Sequence, residues 1–378
     1  MVKVAGIDIG NYGVKAVFGE KDEDQFTIPT LVKPVASRIT NMNTEGRIVD
    51  DLLSYVQVKF HSKALSNQYN NVPLLVGQAA VGGREMVQGS RKHKEDLPVI
   101  CALTAMALRA RKINAKKKVI TETFAPVFGI PVGYFSFDVR DEFESRMEGS
   151  HVVEILTPGY ECTVTVIIEQ NAVVPEDAIY VYDLERDWNG KVVDPTVKEQ
   201  DVFIIGIGQL TTDCGYVSGM AFDDMRSFPV EFGAANTKDR FILHFDTALS
   251  RRVPPTNYRI ETRNQLDRII ANDYIIRELG ESIKDQFEDY VKEDALYVGD
   301  QILNKAKMLR LVPTRVCAIG GALNIYKNDI INRFTASGYK LEIPEKPEYA
   351  TARALYKWGM TERSGFHEEV GDANETAV

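Results

Sequence analysis

The sequence predicts an α/β protein built from two related halves, and three short segments carry that prediction. The first is Val4-Ala5-Gly6-Ile7-Asp8-Ile9-Gly10-Asn11-Tyr12-Gly13, and the second is Val202-Phe203-Ile204-Ile205-Gly206-Ile207-Gly208-Gln209-Leu210-Thr211-Thr212-Asp213. Each reads as a buried strand that turns on glycine and returns as a second strand. Glycine permits the φ > 0 geometry such a turn needs, and backbone N–H groups then converge on a concavity that suits a phosphate. The third segment is the apolar strand Thr314-Arg315-Val316-Cys317-Ala318-Ile319, which ends in Gly320-Gly321-Ala322 and passes into a helical pattern through Leu323, Ile325 and Ile330. A double glycine at a strand-to-helix turn lets a ligand lie against bare backbone and aims the helix N-terminus at anionic groups. Taken singly, a glycine hairpin is most often only a hairpin, and a Gly-Gly turn only a tight connection. In this order they read as phosphate loop, phosphate loop and nucleoside loop, with a nucleotide held between the halves.

The rest of the chain alternates strand and helix signals, which indicates α/β layering rather than a sandwich or bundle. A polar, Asn-rich region from about 36 to 71, interrupted by strand-like runs such as Leu53 to Phe60, fits a small inserted subdomain. Leu97 to Lys112 is an Ala-rich helix with Ile100, Leu103, Ala107 and Leu108 along one side. Asp138 reads as the N-cap of a second helix, with Val139, Phe143 and Met147 recurring every fourth residue. Phe203 to Asp213 opens the second half, and a mostly helical insertion occupies about 234–295, broken at Arg251-Arg252-Val253-Pro254-Pro255. Beyond Arg363 the composition turns polar and acidic, the signature of a disordered tail.

Composition narrows the function classes. At 378 residues with 44% apolar content, the chain suits two domains and can fill both cores. A balance of 45 basic to 54 acidic residues, net −9, argues against direct wrapping of nucleic acid. No apolar run approaches the roughly 20 residues that cross a bilayer, and the N-terminus lacks the order of a signal peptide, so a cytoplasmic location is expected. Cys101, Cys162, Cys214 and Cys317 are scattered singly and the five histidines lack ligand spacing. Neither disulfide nor zinc is therefore expected. The basic runs Arg91-Lys92-His93-Lys94 and Lys116-Lys117-Lys118 suit an acidic surface on a neighbour, although charge runs are most often solvated faces.

Each loop residue has a chemical reading. Asp8 projects from the strand leading into the first loop, where a carboxylate can hold Mg²⁺ through its waters. The alternative for a residue so placed is a turn or capping role. Lys15, on the returning strand, can supply a point charge to β and γ phosphates. Gly10 and Asn11 shape the first loop; Gly208, Gln209, Thr211, Thr212 and Asp213 shape the second, where hydroxyls and amides would close around a phosphate chain.

These segments resemble the actin-like ATPases, and among them the bacterial plasmid-segregation actins of the ParM/StbA type. The resemblance runs from Asp8-Ile9-Gly10-Asn11 and Lys15 through Val127-Phe128-Gly129-Ile130-Pro131-Val132, Val174-Pro175-Glu176-Asp177-Ala178 and Gly208 to Asp213, to Gly320-Gly321-Ala322 and the stretch Pro347 to Gly359. It implies a duplicated, ribonuclease H-like actin fold with the nucleotide in a cleft between two domains. The first domain would span 1–199 with its insertion at about 36–71, and the second 200–345 with its insertion at about 234–295. A helix at 346–362 would return to the first domain, before a disordered tail at 363–378. It also implies ATP or GTP with Mg²⁺, self-assembly into filaments, and plasmid DNA segregation through a DNA-binding adaptor, with no direct nucleic-acid or membrane contact.

By the same resemblance Glu176, at the start of a helix linking the halves, orients the attacking water; the plainer reading is that Glu176 and Asp177 favour a helix N-terminus electrostatically. One position departs from the family. Gly206 stands where the second loop normally begins with an aspartate that helps hold the metal's waters. Asp201, about 16 Å away along an extended strand, cannot replace it. Hydrolysis then rests on Asp8 and Glu176, or is slow. Two other functions fit the superfamily: a small-molecule kinase, for which no acceptor-facing aspartate is evident, and a cell-shape actin, for which no membrane-binding segment is evident.

Overall fold

The computed structural model describes residues 2–35, 51–80, 82–86, 91, 93–251 and 258–372. It divides into two compact units. Unit 1 comprises Met1–Glu199, Gly219–Ala221 and Tyr349–Val378, and unit 2 comprises Gln200–Ser218 and Phe222–Glu348.

Unit 1 begins with strands β1 (Lys3–Ile9), β2 (Gly13–Val17), β3 (Gln25–Pro29), β4 (Leu31–Pro34), β5 (Val56–His61), β6 (Leu74–Val76) and β7 (Arg84–Glu85). Helix α1 (Asp96–Ile113), strand β8 (Val119–Ile130), helix α2 (Phe137–Met147), strands β9 (Gly149–Ile155), β10 (Cys162–Ile168) and β11 (Ala172–Pro175), and the short helix α3 (Val181–Glu185) follow. The strands form one mixed sheet in the order β3-β2-β1-β8-β10-β9-β5-β6-β4-β7, with β11 also on β8. β8 is the axis of this sheet: it runs parallel to β1 on one side, and to β10 and then β11 on the other. A strand enclosed in this way reads as a continuous apolar run, as Phe124 to Ile130 does.

Of the region read as an insertion at about 36–71, residues 36–50 lie outside the described residues. β5, within it, is a strand of the main sheet, paired with β6 and β9. Helix α1 is buried from Leu97 through Leu108, so it lies in the core rather than on it. Helix α2 corrects one expectation. Its N-cap is Ser136, whose Oγ accepts a hydrogen bond from the Val139 N–H at 3.2 Å, and Asp138 sits inside the first turn. Both residues are good cap types; Ser136 takes the role because its φ of −150° and ψ of 163° are extended. Phe143 and Met147 are buried as the spacing predicts.

Unit 2 contains strands β12 (Asp201–Ile207), β13 (Thr212–Ser218), β14 (Ala221–Phe222) and β15 (Phe228–Val230), helices α4 (Ala234–Ser250) and α5 (Arg263–Ala271), and the small pair β16 (Ile275–Ile276) and β17 (Glu281–Ser282). Helix α6 (Lys284–Met308), strand β18 (Arg315–Ile319), helix α7 (Leu323–Ala336) and strand β19 (Leu341–Glu342) complete it. β12 pairs antiparallel with β13 and parallel with β18. Phe241 of α4 and Phe287 of α6 meet edge to face at 5.2 Å, and with Phe245, Val298, Ile302 and Tyr326 they build the core against β12. Residues 252–257, at the predicted break after α4, lie outside the described residues.

Helix α8 (Ala350–Asp372) belongs to unit 1 and packs on β1 and β8. Glycine brings the helix backbone onto the strands: a Cβ on Gly6 would sit 2.5 Å from the Tyr356 nitrogen, and one on Gly359 2.8 Å from Val4 Cγ1 and 2.9 Å from Val127 Cγ2. The helix continues past Arg363 through Asp372, where composition predicts a disordered tail. Once the packed turns nucleate a helix, further turns require only propagation. Residues 373–378 lie outside the described residues.

Candidate functional site

The first glycine hairpin joins β1 to β2 with Asp8 directly opposite Lys15. Asp8 is 3% exposed, and its Oδ2 lies 2.9 Å from Lys15 Nζ. The turn is closed by Thr30, whose hydroxyl donates to the Gly10 carbonyl at 2.9 Å. A Cβ on Gly10 would stand 2.5 Å from the Gly13 carbonyl and 3.1 Å from Lys15 Nζ, so only bare backbone fits there. Asn11 presents a buried Oδ1 with no hydrogen-bond partner, which is costly unless something else supplies one.

Glu176 joins this group through the sheet. Asp8 of β1 pairs with Gly129 of β8, and Gly129 pairs with Val174 of β11. Leaving β11, the Glu176 N–H donates to the Ile130 carbonyl at 2.7 Å, and the side chain turns back over Gly129: a Cβ there would lie 3.4 Å from Glu176 Cγ. Next, Asp177 adopts φ 64° and ψ −53°, a region rarely open to a residue with a Cβ. Its carboxylate accepts from the Thr351 hydroxyl of α8 at 3.4 Å. Glu176 is thus held from both sides. The helix expected there consists of two short segments, Ala178–Tyr180 and then α3. α3 is fastened to α8 by Asp183, which pairs with Arg353 at 2.9 Å and Lys357 at 2.8 Å.

The second hairpin, between β12 and β13, repeats the first. Gly206 faces Asp213 as Asp8 faces Lys15, and a Cβ on Gly208 would meet the Thr211 carbonyl as one on Gly10 meets Gly13. The two loops therefore share one register and spacing, with the acidic side chain moved from the outgoing to the returning strand. Asp213 is the carboxylate opposite the departed position, and its Oδ2 accepts from the Thr211 hydroxyl at 3.1 Å. The Thr212 hydroxyl donates instead to the Phe232 carbonyl at 2.8 Å, so that side chain staples the loop. Gly320 takes φ 103° and Ala322 donates its N–H to the Ile207 carbonyl at 3.1 Å, which brings Gly320, Gly321 and Ala322 beside the second loop.

The second loop also has an unanticipated support. The N–H groups of Ala234 and Ala235, at the start of α4, donate to the carbonyls of Gly208 at 3.2 Å and Gln209 at 2.7 Å. One turn further, Lys238 reaches Gln209 Oε1 at 3.2 Å and Asp267 of α5 at 2.7 Å. Burial pushes the Lys238 ammonium down to about 7 and the Asp267 carboxyl up to about 7, while their mutual contact favours the charged pair and opposes both shifts.

The donor set suits magnesium. Among the described residues no three His, Cys, Asp or Glu side chains converge as a metal cage. Asp8 and the Asn11 Oδ1 match an ion that keeps several waters and takes its remaining ligands from phosphate. A separate cavity of about 630 Å³ in unit 1, lined by Phe26, Leu52, Leu53, Leu108, Arg111 and Tyr160 among others, contains none of the site residues. No helix among the described residues is long and apolar enough to cross a membrane.

Residues 6–176 match the family described as the N-terminal domain of actin-like proteins. No curated protein matches the chain in sequence. Several solved structures match it in fold. Actin-like protein Alp7A is 15% identical and aligns over 99% of this chain and 100% of its own, with a TM-score of 0.73. Bacillus thuringiensis ParM with AMPPNP is 17% identical over 96% and 99%, with a TM-score of 0.69. A non-polymerisable quadruple mutant of pCBH ParM is 15% identical over 95% and 99%, with a TM-score of 0.66. The α/β architecture expected from the three glycine segments is an actin-like fold.

Proposed function

We propose that this actin-like chain is a nucleotide-dependent filament-forming protein that binds ATP or GTP with Mg²⁺, hydrolyses it, and drives plasmid DNA segregation in the cytoplasm through a DNA-binding adaptor. The observation that carries the reading is the repeated hairpin: two glycine loops in the same register, one with an Asp8–Lys15 pair and one with Asp213 opposite Gly206. Relatives of the same fold that hold a nucleotide analogue, or that required mutation to stop polymerising, support it.

In this reading the backbone amides of each loop are phosphate donors, and Lys15 supplies a positive charge at the first. Bound Mg²⁺ would neutralise charge on the phosphate oxygens, with Asp8 and Asn11 accepting hydrogen bonds from its waters. Glu176 orients the attacking water and accepts its proton at the carboxylate. Asp213 supplies the carboxylate that Gly206 lacks. Gly320, Gly321 and Ala322 leave room for the nucleoside.

Light scattering and pelleting with Mg-ATP, Mg-GTP and no nucleotide test the proposal at micromolar protein. Assembly is expected with triphosphate only. A flat signal across nucleotides and salts, with nucleotide still bound, would replace the filament reading by that of a small-molecule kinase.

A further inference from the structure

We infer that Lys238 is a positioning residue for the second phosphate loop, holding the Gln209 amide so that its NH₂ group is offered to the phosphate; this rests on the nucleotide-binding reading above. Paired with Asp267, the Lys238 ammonium offers only donors, so the atom it contacts at 3.2 Å is the amide oxygen, Oε1. With Oε1 turned inward to Lys238, the opposite end of the amide carries two N–H donors for an anion in the loop.

The lysine is built into place. It is 3% exposed, one turn into α4, and is held at 2.7 Å by Asp267 of α5. The charged groups around it are Asp239 on its own helix and Arg263 on α5, themselves paired through Arg263 Nε and Asp239 Oδ1 at 2.7 Å. A buried lysine is expensive to retain where an apolar residue would pack. Here it ties the helical insertion to the loop by a side-chain bond added to the two backbone bonds from Ala234 and Ala235.

The test is a double-mutant cycle on the full chain, read as the affinity for a fluorescent ATP analogue with Mg²⁺. Lys238→Met is paired with Asp267→Leu so that no carboxylate is left buried without its cation. Removing Lys238 this way, or changing Gln209→Ala, should weaken binding about tenfold to a hundredfold, the worth of a hydrogen bond to a charged group. Combining the two should cost no more than Gln209→Ala alone. Additive losses would mean that Lys238 acts only on the fold, and would overturn the inference.

Gln209→Glu guards against misfolding of the first variant. A glutamate keeps its contact with Lys238 and retains the parent's melting temperature, but has no N–H to offer and should bind nucleotide at least tenfold more weakly. Parental affinity in Gln209→Glu would overturn the inference and leave nucleotide binding untouched. A parent chain that binds no nucleotide would overturn both.

Discussion

Replacing Glu176 with alanine separates catalysis from binding, and the packing around Gly129 gives the expected sizes. The alanine variant leaves Asp8, Lys15 and the loop backbones as they are, so nucleotide affinity should hold while phosphate release slows about 10² to 10⁴-fold. Gly129 allows the same carboxylate to be moved rather than removed. A Cβ there would lie 3.4 Å from Glu176 Cγ, 3.5 Å from its Cβ and 3.6 Å from Leu355 Cδ1, all ordinary contacts, so Gly129→Ala should release phosphate within a few-fold of the parent. Valine adds methyl carbons about 1.5 Å further out. Walled by Glu176 on one side and Leu355 on the other, they force the carboxylate to shift by on the order of 1 Å, which costs about 10²-fold in rate. The assay is single-turnover phosphate release from Mg-ATP, with affinity measured on the same preparations. Filaments of Glu176→Ala should also outlive those of the parent. Parental release by Glu176→Ala would show that the water is oriented elsewhere. A Gly129→Val variant as fast as Gly129→Ala would refute the placement of Glu176 over that glycine.

Lys15→Met takes from the buried Asp8 its lysine partner and should lower the unfolding midpoint by roughly 5–10 °C while weakening nucleotide binding more than tenfold; a thermal melt superimposable on the parent's would disprove the pairing. Asp213→Asn should slow phosphate release about 10²-fold with little change in affinity, and an unchanged rate would leave hydrolysis to Asp8 and Glu176. The Lys238–Asp267 pair sets a pH dependence. Where burial outweighs their contact, the folded state holds, from pH 3.8 to about 7, the Asp267 proton that the unfolded chain has lost, so stability falls; from about 7 to 10.5 the unfolded chain holds the Lys238 proton that the folded state has lost, so stability rises. The parent, compared with Lys238→Met/Asp267→Leu by denaturant titration, should therefore be relatively weakest near pH 7, and a difference independent of pH would show that contact between the two cancels their burial. Truncation after Arg363 should preserve nucleotide binding, because the close packing of α8 on β1 and β8 involves Ala352 to Gly359; loss of binding in a fluorescence titration would contradict this.

What the sequence disclosed and what it withheld divide along the range of the interactions. The glycine hairpins, the Gly320–Gly321 turn and α1 are local: their signals lie within a dozen or so neighbouring residues, and the structure forms them where those residues stand. The displaced α2 cap is a local ambiguity, since Ser136 and Asp138 are both good cap residues and only backbone geometry separates them. Gly129 stands in the sequence only as part of a family motif, because its value lies in leaving space for Glu176, which follows another strand. Lys238 went unnoticed because a single lysine within an amphipathic helix reads as its solvated side, and its partners, Gln209 and Asp267, lie 29 residues before and a helix beyond. The position of Asp213 opposite Gly206 emerges only from strand register, which the residue count of the loop permits but does not dictate.

The seating of α8 on β1 also bears on how this chain comes to be made. β1 precedes unit 2 in the chain, yet the helix that covers one of its faces through Gly6 is translated only after the whole of unit 2. Unit 2 is nearly contiguous in the chain and can assemble as it emerges, while the central strands of unit 1 wait with an apolar face uncovered. An apolar face left uncovered in this way is the kind of surface that makes folding intermediates prone to aggregate. The arrival of α8 ends that exposure, so folding of unit 1 finishes after that of the unit inserted within it.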